Sequence, residues 1–546
     1  MLFLALILVY TLFLLLISQY SKRRTKNVGH FFDGGRSFGI WHVFVMMTAM
    51  WGSSMFAVEL DSGYLTGLSA IWYGFSVIVS SLLVASVLLR PFRGIGYLTN
   101  SNLLGRVYGK KARDLAALVI GLTFPIFAMK NVLAAATYFH VMLGWNLAVV
   151  LILTTLLVIL YVSLGGLWSL AYVQIANLAL FTVGLAVAAY YSLHGHAVFT
   201  TPVPKQPHFQ GLAGGGLAMI LVWFGMNILN SVSAQAEFQT ISSAKSVRKG
   251  KLGVYFSSIV LIGFAIVPTL LGMAARTHHI VMKSGLLAFP TYLRMVAPHW
   301  AVLLVGLGFW AAALIWCAPL MFSGASSFGL DLFNRKQQSH DTSSVRRFTR
   351  LSMLIQGALI VIYALVRPGE LAWWAVFGLT LRNAAIVGPT LTFLLWPAVR
   401  ERTVIASMII GVASGLGWNA LTGFSATAFA FDINPMWVGT GLSMIVIIFG
   451  TLLENHGALQ WNKHPWKRNV GYALGVIGLL LIIASPLLMK TAFRSLLGVD
   501  LFLGILFLFF TAMLSTELRE HANEVSTSIT QESKRDPDVR AIAHTN

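Results

Sequence analysis

A single cysteine, Cys317, stands among 546 residues. One thiol excludes an intramolecular disulfide and a cysteine-built metal cluster. Charge is scarce as well. Asp, Glu, Lys and Arg make up 10% of the chain, whereas soluble domains carry about a quarter. No stretch between the apolar runs is large enough to form a separate soluble domain. No Gly-rich Lys-Ser/Thr phosphate loop is present, which argues against a primary pump. No His-Asp or Ser-His-Asp constellation falls at a membrane surface, so a membrane enzyme such as an acyltransferase is not expected. His278 and His279 form a lone pair, and neither a metal site nor a cofactor is expected.

What the chain has in place of charge is apolar length. Hydrophobic residues make up 57%, and runs near 20 residues, long enough to cross a ~30 Å hydrocarbon core, recur from end to end. Fifteen spans are read, near 2–20, 38–60, 66–89, 114–140, 145–164, 169–194, 212–236, 252–275, 299–330, 351–367, 372–398, 404–422, 434–454, 470–489 and 496–515. The first reads as a retained helix. It has no charge from Met1 to Ser18 and no small-residue cleavage site before Ser21-Lys22-Arg23-Arg24, so it lacks the marks of a signal peptide. The transmembrane domain is thus 1–515, followed by a polar tail, 516–546, that reads as disordered.

The net charge of +20 would suggest nucleic acid in a soluble protein. Here the basic residues lie in loops between apolar runs, the positive-inside pattern of the cytoplasmic membrane. The lipid bilayer is the implied partner, and nucleic acid is not. With the N-terminus outside, the connections holding Lys22 to Lys26, Arg90 to Arg113, Lys245 to Lys251, Arg335 to Arg350 and Lys463 to Arg468 all fall in the cytoplasm, together with the tail.

Two spans are interrupted by small and polar residues. One holds Trp51-Gly52-Ser53-Ser54. The other, five spans later, holds Gly225-Met226-Asn227, Asn230-Ser231 and Ser233-Ala234-Gln235. Unwound backbone at membrane depth persists only where it is buried or lines a cavity, and paired broken helices mark transporter binding sites. The alternative is that the small residues merely allow close helix packing.

The order of several motifs resembles the sodium:solute symporter family. They are Gly35-Arg36-Ser37, Ser62-Gly63-Tyr64 followed by Gly67, Gly165-Gly166-Leu167-Trp168, Gln239-Thr240 with Ala244-Lys245, Ala311 to Asp331, and Gly388-Pro389 with Leu395-Trp396. The resemblance implies an all-α integral membrane fold. Its core would be an inverted five-plus-five helix repeat, about 38–194 and 212–398, with one extra N-terminal helix and about four C-terminal helices. It also implies a secondary transporter that moves a small organic solute by alternating access. Substrate would bind between the interrupted helices, with Trp51, Ser53, Ser54, Gln235 and Arg382 as the expected contacts and Trp223 and Phe224 as possible packing surfaces. The family's sugar contacts look wrong, with Gly74 in place of a glutamate and Ala236 in place of a tyrosine, so a carboxylate or amino-acid-like solute is expected.

The family's sodium site maps onto carbonyls at Thr48, Trp51 and Ala313 and onto two hydroxyl positions, and here it is degenerate. The hydroxyl positions hold Trp316 and Cys317. Sulfur suits soft metals and not a hard cation such as sodium, and an indole offers no acceptor lone pair. The family's Thr-Asp after the Gly-Gly-Leu motif is Val173-Gln174 here, and a position acidic in proline carriers is Met50. The coupling ion is therefore left as sodium or proton. Ionisable groups at membrane depth suggest function by default. Lys130 could stand in for the missing cation or form a structural pair. Arg382 could hold a substrate carboxylate or an internal ion pair. Glu59 and Asp61 are expected near water or a vestibule, and either they or Glu237 could carry a coupling proton. A solute sensor working through a separate signalling partner is the alternative function. The oligomeric state is not specified.

Overall fold

The computed structural model describes residues 2–21, 36–94, 99–163, 167–195, 198–204, 206–333, 342–489, 491 and 493–519. Gly35, Gly165, Gly166 and the tail from 520 onward lie outside the described residues. The helices are α1 (Leu2–Ser21), α2 (Ile40–Thr66), α3 (Ile71–Leu83), α4 (Asn100–Leu143), α5 (Leu147–Ser163), α6 (Leu167–Leu193), α7 (Leu217–Ser233), α8 (Gln235–Ser242), α9 (Val247–Thr277), α10 (Gly285–Val296), α11 (His299–Ser326), α12 (Thr342–Val366), α13 (Leu371–Leu395), α14 (Glu401–Leu421), α15 (Pro435–Glu454), α16 (Pro465–Leu488) and α17 (Leu497–Ser515). Eleven of the described helical stretches are long and apolar enough to cross a membrane, or twelve with α7 and the bent α8 taken as one span. Two expected spans, on α5 and α12, form shorter apolar helices. Two others, on α2 and α3, run together as one 55-residue helical stretch, Ile40–Gly94.

Three features depart from expectation. The Trp51–Ser54 stretch does not break its helix: α2 runs unbroken from Ile40 to Thr66. Its small residues serve close packing instead. A Cβ on Gly52 would lie 3.1 Å from the Phe264 ring of α9, and one on Gly63 would lie 2.5 Å from the Thr269 carbonyl oxygen. Second, the other interruption is a true break but falls late. Gly225 to Asn227 remain helical, and the chain turns at Ala234 (φ −75°, ψ 64°), where α7 and α8 bend by 53°. Third, the residues after Ser515 begin with a short strand. Thr516–Leu518 pairs antiparallel with Leu459–Trp461, Gln460 facing Glu517.

The chain divides into two compact units, 1–89 with 117–379, and 90–116 with 380–546. In the first, α1 is tied to its neighbours by side-chain hydrogen bonds. The Tyr10 hydroxyl donates to Asn177 Oδ1 at 2.7 Å, and the Trp310 indole donates to Thr11 Oγ1 at 2.9 Å. The start of α2 is pinned to the end of α8, with Phe38 N–H donating to Ser243 O at 2.9 Å and Lys245 N–H to Phe38 O at 2.8 Å. In the second unit, the Tyr108 and Thr392 hydroxyls are hydrogen-bonded at 2.9 Å. There the backbones of α14 and α15 approach closely, so that a Cβ on Gly411 would lie 3.0 Å from the Gly439 carbonyl oxygen. Small residues at such crossings are what helix association in lipid requires.

Candidate functional site

The site lies within the first unit, around the break between α7 and α8. A helix interrupted at membrane depth frees backbone groups that must find partners. Gln235, the first residue after the break, is turned to α11. Its amide donates to Ser323 O at 3.0 Å, Ser323 Oγ at 2.9 Å and Ser327 Oγ at 3.2 Å. Two residues on, the buried Glu237 carboxyl faces the Trp51 indole and the Ser81 hydroxyl, without a hydrogen bond of ordinary geometry to either. The Trp51 ring lies 5.5 Å from that of Trp316. Trp223 sets its ring edge-on to Tyr73 at 6.1 Å, and its buried indole nitrogen has no partner among the described residues. Phe224 is half-buried beside Trp72, with ring centroids 6.2 Å apart.

Ser53 bonds back to the Met50 carbonyl at 3.0 Å, which turns its hydroxyl along its own helix. Ser54 lies beside the Tyr73 hydroxyl. Lys130 is buried on α4, its Nζ 3.3 Å from that same hydroxyl. The ammonium also stands 5.5 Å from the Trp316 ring, 5.6 Å from Tyr73 and 5.9 Å from Phe127. These are cation–π distances.

Beside the expected ion position, side chains donate to neighbouring backbone carbonyls. The Trp316 indole donates to Phe127 O at 2.7 Å, and the Cys317 thiol to Ala128 O at 3.2 Å. Asn131 donates to Ser53 O at 2.8 Å and to Ala312 O at 3.2 Å, joining α2 to α11 beside Ala313. Gln174 donates to Ile315 O at 3.0 Å. The amide oxygens of Asn131 and Gln174 have no partner among the described residues. Thr48 turns its hydroxyl to Ser257 at 3.0 Å. Asn131 was not singled out from the sequence; its place beside Lys130, one residue past a buried cation, was the available signal.

The expectation that Glu59 and Asp61 face water is corrected, because both side chains are fully buried. The reason is α10, a short helix absent from the sequence reading that covers the end of α2. Asp61 Oδ1 accepts from Ser284 Oγ and Gly285 N–H, each at 2.8 Å, and Oδ2 accepts from Leu371 N–H at 3.1 Å. It therefore caps the first turns of α10 and α13 at once. Glu59 has no hydrogen-bond partner of ordinary geometry among the described residues on either oxygen. Arg382 is buried in α13, within the second unit. Among the described residues, no group of three or more His, Cys, Asp or Glu is placed to hold a metal ion.

Comparison with known proteins agrees with this architecture. A family model described as the sodium:solute symporter family matches residues 31–411. The chain is 25% identical to the human high affinity choline transporter 1, over 67% of this chain and 68% of the relative. It is 22% identical to the osmoregulated proline transporter OpuE of Bacillus subtilis, over 82% of this chain and 94% of the relative. Among solved structures it resembles a Na+-coupled sialic acid symporter, with TM-score 0.68 and 17% identity over 83% of this chain and 98% of that one. It also resembles a nucleobase-cation-symport-1 family transporter in a closed conformation, with TM-score 0.51 and 10% identity over 87% and 100%. The fold is the all-α membrane fold of these transporters, an inverted five-plus-five repeat.

Proposed function

Because the chain belongs to the sodium:solute symporter family, whose members are transporters and not enzymes, we propose that it carries a small amino-acid-like or carboxylate solute across the cytoplasmic membrane without a sodium ion at the family's site. The repeats would cover about 38–194 and 212–398, with the N-terminus outside and the tail in the cytoplasm. The observation that carries the reading is that Trp316 and Cys317, which stand at the two hydroxyl positions, turn their donors to the carbonyls of Phe127 and Ala128. An indole has no acceptor lone pair and sulfur suits soft metals, so neither side chain offers sodium an oxygen.

Lys130 supports the same reading. Its fixed ammonium supplies positive charge in a low-dielectric cluster of rings, as a bound cation would. It also bears on the solute. A quaternary ammonium such as choline, named for the human relative, would compete with Lys130 for the faces of Trp316 and Tyr73. A carboxylate would be attracted by it. Trp51, Ser54 and Trp223 are the groups we assign to solute contact, while Ser53 and Gln235 serve the helix and α11. Arg382, expected from the sequence among the solute contacts, is buried on α13 in the second unit.

The test is uptake into proteoliposomes, over a panel of amino acids and carboxylates, with sodium replaced by N-methylglucamine. Undiminished uptake in sodium-free medium is expected. Uptake that vanishes without sodium would overturn the reading.

A further inference from the structure

Glu59 and Asp61 lie two residues apart on α2, both fully buried, and they are treated oppositely by their surroundings. Asp61 receives three donors at 2.8–3.1 Å. Glu59 receives none of ordinary geometry. Its carboxyl rests in a notch formed by Gly74 of α3 and Ala265 of α9. Any side chain at position 74 would overlap Glu59 Oε1, and a Cβ there would also lie 2.6 Å from that of Ala265. The notch is shaped for a carboxyl group, and among the described residues it offers no compensating charge or donor beyond the approach of the Gly74 amide. An ionised carboxylate is strongly disfavoured in such a place, whereas the neutral acid is tolerated.

The titratable groups around it are few. From α3 the Tyr73 phenol faces it. Beyond that phenol stands Lys130 of α4, 3.3 Å from the Tyr73 hydroxyl. From α9, Ala265 packs against Gly74 and carries no charge. Asp61, on its own helix, is turned to α10 and α13.

We propose that Glu59 is a proton-binding site of the transport core, holding a proton while seated against Gly74 and so supplying the bound cation that the degenerate sodium position does not. The inference rests on the sodium-free reading. Only an O–H bond is made or broken: the proton comes from water on one side, converts carboxylate to acid, and leaves to water when the carboxyl leaves the notch.

The test is a pH titration of the reconstituted full-length protein by infrared difference spectroscopy, which needs no solute. The wild type is expected to show the carbonyl-stretch band of a protonated carboxylic acid at neutral pH. Glu59→Gln should lose that component, and Glu237→Gln should keep it. Gly74→Ala retains the acid but displaces it from the notch, so the band should shift. A Glu59→Gln spectrum that matches the wild type throughout the titration would overturn the proposal, as would an unshifted band in Gly74→Ala. Sodium-dependent uptake, measured separately, would overturn the underlying reading and leave the infrared result to stand on its own.

Discussion

Asp61 allows a stability effect to be worked from the structure. Its two oxygens take Ser284 Oγ, Gly285 N–H and Leu371 N–H at 2.8, 2.8 and 3.1 Å, with the side chain fully buried. Hydrogen bonds to a charged acceptor contribute about 1.5–3 kcal/mol each, and a negative charge at a helix N-terminus adds about 0.3–1 kcal/mol per helix. Asp61→Asn keeps the shape. Its carbonyl oxygen can still accept from Ser284 and Gly285, but its NH2 group then meets the Leu371 N–H, donor against donor. The lost bond and the unpaired donors together should cost about 3 kcal/mol. Asp61→Ala strips all three bonds and bares two helix N-termini, for about 4–5 kcal/mol, at about 1.5 kcal/mol for each bond to a charged acceptor. Ser284→Ala removes one neutral donor and leaves both amides in place, for about 1 kcal/mol. The assay is the apparent melting midpoint of detergent-purified protein, read by size exclusion after heating. Ala should fall furthest, Asn by on the order of 5 °C, and the Ser284 variant least. An Asp61→Asn protein that melts with the wild type would refute the claim that this carboxylate clamps α10 and α13 to α2.

Three further variants probe the packing around the site. Asn131→Ala frees the carbonyls of Ser53 and Ala312 and should lower stability by about 2 kcal/mol; an unchanged melting midpoint would show that the bridge is not needed. Gly272→Ala should be poorly tolerated, because its Cβ would overlap the Leu60 carbonyl oxygen and lie 2.7 Å from the Tyr64 amide nitrogen. Both are backbone atoms of α2 and cannot step aside, so about 1–3 kcal/mol of overpacking is expected. Gly263→Ala on the same helix meets nothing within 4 Å and should cost nothing. Equal membrane yields for the two alanine variants would count against the close α2–α9 crossing.

The spans were legible because apolar length is a direct consequence of the bilayer's thickness. All fifteen expected runs fall on helices, including the last four, α14 to α17. The break in α7 was legible as a region but not as a residue. Gly225, Asn227, Asn230, Ser231 and Ala234 are each compatible with unwinding, and only tertiary partners decide which one turns. The same ambiguity misread α2. Gly52, Ser53 and Ser54 look like a break in sequence, yet Gly52 is small because the Phe264 ring lies against it. Glu59 and Asp61 were misplaced for a related reason. A carboxylate near the end of an apolar run usually meets water, and nothing in the α2 sequence announces that α10, a 12-residue helix too short to span, covers it. Trp316 and Cys317 stood out in sequence because sodium requires oxygen ligands and neither side chain offers one; the fold adds where they donate, to Phe127 O and Ala128 O.

That requirement can be put on a free-energy scale. A sodium ion ~6 Å from the Lys130 ammonium, at an effective dielectric constant of ~20, would meet about 3 kcal/mol of repulsion, roughly a hundredfold in affinity. Where the family's two hydroxyls map, it would meet the Trp316 indole and the Cys317 thiol, turned to the carbonyls of Phe127 and Ala128, with Asn131 on Ala312 O beside them. Replacing one of those residues would leave the others in place, together with the ammonium. The residues at positions 130, 131, 316 and 317 thus lie together. Lys130 brings a positive charge, Trp316 and Cys317 bring no oxygen ligand, and the rings of Tyr73, Phe127 and Trp316 stand within cation–π distance of the ammonium. Restoring hydroxyls at 316 and 317 alone should therefore fail to restore a sodium response, whereas restoring them together with removal of Lys130 addresses both the oxygens and the charge.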